Sequence, residues 1–296
     1  MSYSISPQEN LAHGIVRILQ QLVSTIYTEL QDDSIILDER IHDARTGFKQ
    51  CRAMLRFIRY QLPPEEYEIE NLHFRDLGRL LALSRDSYIL VSSIDYLVEH
   101  NPDSVKADDF STIRDRLERD YRQQIDRFRE RNYQEEIVAH LRALHERISR
   151  WTVAGLDRDI LYGIHKVYKS AQQHMEHAFA QHDNYLMHEW RKDIKYLWYQ
   201  VNILLPEDPE HPESLAGRLH ELSGYLGVDH DLLELELALG RMKSSEIQSE
   251  KEMLQKLIAS EKKRLQALAL ITGKQLLNRD SDSFIENLYL KWMSSK

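Results

Sequence analysis

An all-α protein is predicted by three features of this sequence. Turn formers are scarce, with 10 Gly and 7 Pro in 296 residues. Charged residues make up 29% of the chain. Apolar residues recur at the alternating three- and four-residue spacings of amphipathic helices, whereas the strict alternation of half-buried strands is lacking.

Ser6, Pro7 and Glu9 read as N-cap, N1 and N3 of a first helix running to about Gln31, a capping-box arrangement with proline where its missing N–H does no harm. After QDDS, a second helix is expected over 36–61, stopped by Leu62-Pro63-Pro64. A long helix over 66–99 should end before Asn101-Pro102, with Asp103 or Ser104 capping the next. Residues 105–150 form one or two helices, whose dense charge of both signs fits a solvated surface. Another helix is expected from Gly155 to about Gln181, and Asp183-Asn184 should cap one from Tyr185 to Leu205. Pro206, Pro209 and Pro212 mark a connection before helices at about 213–240 and 243–272, and a capped helix from about Asp282 closes the chain.

The second of these helices carries the chemistry. In RIHDARTGFKQCRAMLRFIRY, His42, Arg45, Lys49, Arg52, Arg56 and Arg59 recur at spacings of 3, 4, 3, 4 and 3, which draws one line along one helix face. Ile41, Phe48, Met54, Leu55 and Ile58 supply an apolar face to anchor it. Six Arg or Lys stand against the single acid Asp43, where an ordinary solvated helix would intersperse Glu to gain i,i+4 pairs. Aligned like charges cost stability unless an anion neutralises them. The stripe therefore points to a polyanion. The bland alternative is a basic face paired with acids of a neighbouring helix, such as Asp86 or Asp95.

The pattern repeats. LMHEWRKDIKYLWYQ, with His188, Arg191, Lys192 and Lys195, echoes the first stripe at an offset of 146. LSRDSYILVSSI around Asp86 is echoed by GVDHDLLELELA around Asp231 at 145, and HGIVRIL by YGIHKVYK at 149, which sets Lys166 opposite Arg17. A single domain spanning 1–296 is expected, with internal repeats of about 7–150 and 155–296. Its halves, of four or so helices each, would be related by a pseudo-twofold that brings the two His-led helices to a shared groove.

Composition narrows the functions. A formal charge of −9 argues against a nucleic-acid-coating surface and for a confined basic site. One cysteine, Cys51, rules out an intrachain disulfide and fits a reducing compartment. The sequence lacks an apolar run long enough for a membrane span, and MSYSISPQENL lacks a basic n-region followed by an apolar stretch. A soluble, cytoplasmic protein is the expectation.

The run H-x-x-R-x-x-x-K-x-x-R-x-x-x-R, its second copy H-x-x-R-K-x-x-K-Y and the downstream aspartates together resemble the conserved-histidine α-helical domain, or CHAD, family, over nearly the whole chain. The resemblance implies two four-helix bundles around a basic central surface, and binding of inorganic polyphosphate. By motif position it assigns the ligand to His42, Arg45, Lys49, Arg52 and Arg56 of the first repeat and to His188, Arg191, Lys192 and Lys195 of the second. Lys166 and Lys169 of GIHKVYKSA are added. Trp198 stands where the family often has arginine, and Glu189 and Asp193 offset second-repeat cations, so the second wall is less basic. Many members carry a triphosphate tunnel metalloenzyme domain opening on E-x-E-x-K; the nearest stretch here, Glu66-Tyr67-Glu68-Ile69-Glu70, lacks the lysine.

Arginine forks can grip two phosphate oxygens, lysine acts as a mobile point charge, and histidine beside phosphate favours its protonated form. Other chemistries fit less well. His42 and His188 sit among cations that would repel a metal ion, and His174, His177 and His182 form only a loose cluster. Asp86 and Asp231 read as residues that orient arginines, Cys51 as a packed helical cysteine, and the aromatics as helix contacts. Neither a Gly-rich phosphate loop nor a nucleophile with its base emerges, and no cofactor is implied. The expected function is polyphosphate binding without chemistry, with polyphosphate granules or a polyphosphate enzyme as associated partners, and with neither sequence-specific nucleic acid nor membrane. The alternatives are a phosphohydrolase or phosphotransferase with a histidine phosphoacceptor, and a helical adaptor for an acidic protein partner.

Overall fold

The computed structural model describes residues 3–6, 8–153, 155–205 and 213–294 and contains helices but no strand among them. None of those helices is long and apolar enough to cross a membrane. Helix α1 (Leu11–Leu30) starts later than the capping-box reading. Asn10 is its N-cap, its side chain accepting from the Ala12 and His13 amides at 2.9 and 3.3 Å, while Ser6 and Glu9 close a preceding turn. Pro7 lies outside the described residues.

Helix α2 (Leu37–Phe57) buries Ile41, Ala44, Phe48, Cys51 and Leu55 against the core. Gly47 permits its close approach to α1, since a Cβ there would lie 2.6 Å from Ile26. The helix stops before the expected Leu62-Pro63-Pro64, because the Ile58 amide ends the ladder on Met54 and the chain turns through Gln61. Pro64 instead opens α3 (Pro64–Leu80), at a position that needs no N–H.

The predicted single helix over 66–99 is two, α3 and α4 (Ala82–Glu99). At Leu81 the amide turns to Arg79, and the side chain, fully buried, enters the core. Neither Asp103 nor Ser104 caps the next element; Lys106 precedes a short 3-10 turn over Ala107–Phe110, its amide donating to Asp109 at 2.8 Å. Then come α5 (Ser111–Glu130) and α6 (Tyr133–Ile148), separated at Asn132, which takes the left-handed conformation at φ 52°. Glu250 caps α5 from a distance, accepting from the Thr112 and Ile113 amides at 3.3 and 2.9 Å.

The remainder consists of a short α7 (Asp157–Ile160), α8 (Tyr162–Gln181), α9 (Asn184–Leu204), α10 (Leu215–Arg241), α11 (Gln248–Leu276) and α12 (Ser281–Ser294). Asp183 caps α9 through the Tyr185 amide at 2.8 Å, as expected, whereas Pro206, Pro209 and Pro212 fall outside the described residues. Helices α8 to α12 succeed one another as α1 to α6 do, with α10 unbroken where α3 and α4 are separate. Packing partners correspond: α1 lies on α2 and α6 as α8 lies on α9 and α12, and α4 lies on α5 as α10 lies on α11.

Two apolar clusters hold these helices together, and both draw on α1–α6 and on α8–α12. The larger joins Leu19, Phe48, Phe74 and Leu141 to Tyr168, Leu197 and Trp292. The smaller joins Ile94, Leu97 and Leu117 to Leu232, Leu239 and Ile258. Each such side chain stabilises the fold by about 1.5–3 kcal/mol, so helices α1–α6 and α8–α12 are joined through shared interiors. Helices α2 and α9 meet at the middle, and the buried Gln200 amide donates to the Ala53 carbonyl at 2.9 Å. That contact fixes the register of the two His-led helices.

Candidate anion site

The α2–α9 contact brings the two stripes together. Lys49 lies within electrostatic reach of Lys195, Arg191 and Arg45, with Asp231 opposing them. His42 faces Arg85, Lys49 and Lys195, and His188 faces Arg191, Lys192 and Lys49. The carboxylates drawn into the middle are Asp86 of α4 and Asp231 of α10, which face Arg45, Lys49, Arg85, Arg191 and Lys195. Cations are therefore in excess.

Burial makes the excess matter. Neither the Lys49 nor the Lys195 ammonium has a hydrogen-bond partner among the described residues. Desolvation, reinforced by the neighbouring cations, lowers Lys49 from 10.5 to about 7 and Lys195 to about 8. Burial also pulls His42 and His188 down, and takes His230 to about 3 with Arg191 and His188 beside it. The same desolvation raises Asp86 and Asp231 despite their cationic neighbours.

The two arginines at the heart of the site are held differently, for a reason that lies in the helices. Because α3 stops at Leu80, the Gly78 carbonyl belongs to a last turn without intrahelical partners, and Arg45 Nη1 donates to it at 3.0 Å. Arg45 Nη2 also reaches Asp86 at 3.3 Å, which is the neighbour-helix pairing weighed for this stripe; Asp95 pairs with Arg114 instead. In the second repeat α10 runs unbroken and offers no such carbonyl. Arg191 Nε is buried without a partner.

Farther along α2 the stripe becomes an aromatic-flanked arm. Arg52 and Arg56 both donate to the Asn71 side-chain oxygen, at 3.1 and 3.3 Å, and Arg56 lies 4.1 Å from the Tyr196 ring centroid. Arg59, at the end, sits over Tyr67 and within 3.9 Å of Glu68. Trp198, at the position matching Arg52, stacks on His220 at 4.4 Å.

Some residues expected in the site stand outside its centre. Lys192 is neutralised by Glu189 at 2.6 Å. Lys166 is exposed over the Tyr162 ring, near the Arg59 end, and Lys169 is exposed without a partner among the described residues. Asp193, within electrostatic reach of Lys192, also accepts from Ser170 at 2.7 Å and lies 2.7 Å from His174 Nδ1. Among the described residues no three His, Cys, Asp or Glu side chains are grouped so as to hold a metal ion. Cys51 is fully buried and its thiol is pushed up by burial. Three contributors escaped the sequence reading: Arg85, His220 and His230. Arg85 and His230 occupy matching places beside Asp86 and Asp231, so the repeat carried the signal that would have found them.

Surface cavities also occur away from these cations, between α8 and α12 around Tyr162 and Tyr289 and between α1 and α6 around Tyr27. The cations meet across a helix interface instead.

Comparison with known proteins places this architecture. The structure is similar to the crystal structure of the CHAD domain from the plant Ricinus communis, with 13% identity, a TM-score of 0.56 and coverage of 98% of this chain and 95% of that one. At that identity the likeness speaks for the fold alone. No curated protein matches the sequence. The family model for the CHAD domain matches residues 17–240, and the chain belongs to the CHAD family.

Proposed function

We propose that this chain is a binding module for inorganic polyphosphate, which it holds in a basic groove between α2 and α9, with the two repeats acting as pseudo-twofold-related walls of one domain. The CHAD family is known for polyphosphate binding. The observation that carries the reading here is the pair of half-buried lysines, Lys49 and Lys195, whose ammonium groups meet no acceptor among the described residues, inside a cluster whose cations outnumber its carboxylates. A fold does not retain such a cluster for its own stability, because like charges held together and partly desolvated are destabilising. A polyanion removes the cost, and displacement of its condensed counterions makes binding salt-dependent.

His42, Arg45, Lys49, Arg85, His188, Arg191 and Lys195 form the centre of this site, and Arg52, Arg56 and Arg59 extend it along α2. Binding without chemistry is the role assigned, and attachment to polyphosphate granules or to a polyphosphate enzyme would follow from it. Calorimetric titration with long-chain polyphosphate at low and high salt tests the reading. Wild type should bind tightly at low salt and lose affinity steeply as salt rises. The Arg52→Glu, Arg56→Glu variant should bind at least about tenfold more weakly with helicity retained, since charge reversal repels the phosphate chain. Binding indifferent to both salt and reversal would mean that the stripe is structural.

A further inference from the structure

The second-repeat side of the site holds a group of donors with nothing to donate to. Arg191 Nε, Trp198 Nε1 and Tyr199 OH are all buried without a hydrogen-bond partner. Tyr199 is 5% exposed. These groups are neighbours: Tyr199 is in electrostatic contact with Arg191, its ring lies 4.7 Å from that of Trp198, and Lys195 is next to Arg191. His220, stacked on Trp198, is in reach of Lys195. Asp231 is the carboxylate facing Arg191 and Lys195.

Indole N–H, guanidinium and ammonium can only donate, and each buried donor left unmade costs about 1–3 kcal/mol. In the first repeat the matching positions are paired. There Arg45 is satisfied by Gly78 and Asp86, and Arg52, matching Trp198, is satisfied by Asn71. The matching positions thus differ on the α9–α10 side, where a Cβ at Gly227 of α10 would lie 4.0 Å from Arg191 Nε.

We propose that Arg191, Lys195, Trp198 and Tyr199 form an end-recognition subsite that seats the terminal phosphate of a polyphosphate chain. This rests on the reading of the site as a polyphosphate binder and adds to it which part of the chain is recognised. A terminal phosphate presents three non-bridging oxygens and, with a second pKa near 6, more charge than an internal one. It can enter a buried cluster from one direction. An internal phosphate would have to bring both flanking units out of water with it, at a desolvation cost that grows with each charge. From the seated end, the chain would run past Lys49 onto the Arg52–Arg56 arm of α2.

The test is stoichiometry against chain length. With the full chain titrated into polyphosphates of increasing length, bound protein per polyphosphate should not exceed the number of chain ends. Converting terminal phosphates to bulky phosphoramidates should weaken binding by about tenfold or more. Tyr199→Phe and, separately, Trp198→Phe should lose the preference for free over blocked ends without lowering the unfolding midpoint. Pyrophosphate, which consists only of ends, should bind wild type and bind Tyr199→Phe more weakly. Occupancy that grows with length, indifference to blocked ends, or pyrophosphate binding untouched by Tyr199→Phe would overturn the subsite while leaving polyphosphate binding intact. Failure of wild type to bind any polyphosphate would strike the underlying reading as well.

Discussion

Lys49 carries a charge that its surroundings resist. It lies among Lys195, Arg191 and Arg45 with Asp231 in partial opposition, while Arg85 and Asp86 of α4 and His188 of α9 and His230 of α10 complete the surroundings. Its proton is held only to about pH 7, and that of Lys195 to about pH 8, whereas the unfolded chain keeps both to 10.5. Between those values the unfolded chain binds more protons, so stability of the free protein rises with pH; below pH 7 both states are protonated and the full cost of the buried charge stands. A bound polyanion favours the charged forms and must draw protons from solvent. Calorimetry of polyphosphate binding at pH 8, in two buffers of different ionisation enthalpy, should therefore give heats that differ in the sense of net proton uptake. Heats independent of the buffer would show that these lysines do not face the ligand.

At the scale of the element, the junction of α8 with the end of α2 shows how closely these helices constrain each other. A Cβ at Gly163 would lie 2.3 Å from the Phe57 carbonyl oxygen and 2.6 Å from that of Arg56. Both neighbours are backbone and have nowhere to move. Gly163→Ala is expected to destabilise the protein by roughly 1–3 kcal/mol, read as a lower denaturant midpoint at unchanged slope. Helix identity was legible along the chain because periodicity reports which face is buried. Boundaries were legible where a cap stands in the sequence, as at Asp183, and less so elsewhere. The Ser6–Glu9 pattern lost to Asn10, whose side chain serves two amides. The break at Leu81 carries no glycine or proline of its own; burial of that leucine imposes it, and periodicity within one helix cannot show a tertiary demand.

At the scale of the molecule, a chain of net charge −9 sets a cluster of cations where α2 meets α9. The rhythm of the first stripe and its echo made the centre of the candidate site readable, because a helix fixes which side chains share a face. What the rhythm could not show is which neighbours neutralise a cation. Lys192 has its acid one turn back, and Lys166 and Lys169 belong to a helix that presents them to solvent. Arg85 and His230 lie off both His-led stripes, and only their matching places beside Asp86 and Asp231 mark them.

The central claim is that Lys49 and Lys195 are kept for an anion at the expense of the fold. Replacing both by methionine keeps side-chain length and removes two partly desolvated charges. The decisive measurement is the unfolding midpoint of Lys49→Met, Lys195→Met without ligand, paired with its affinity for long-chain polyphosphate at low salt. The account predicts a midpoint at or above that of wild type and binding weakened by about tenfold or more. A lower midpoint with polyphosphate affinity unchanged would contradict it, and would make the lysines part of the scaffold.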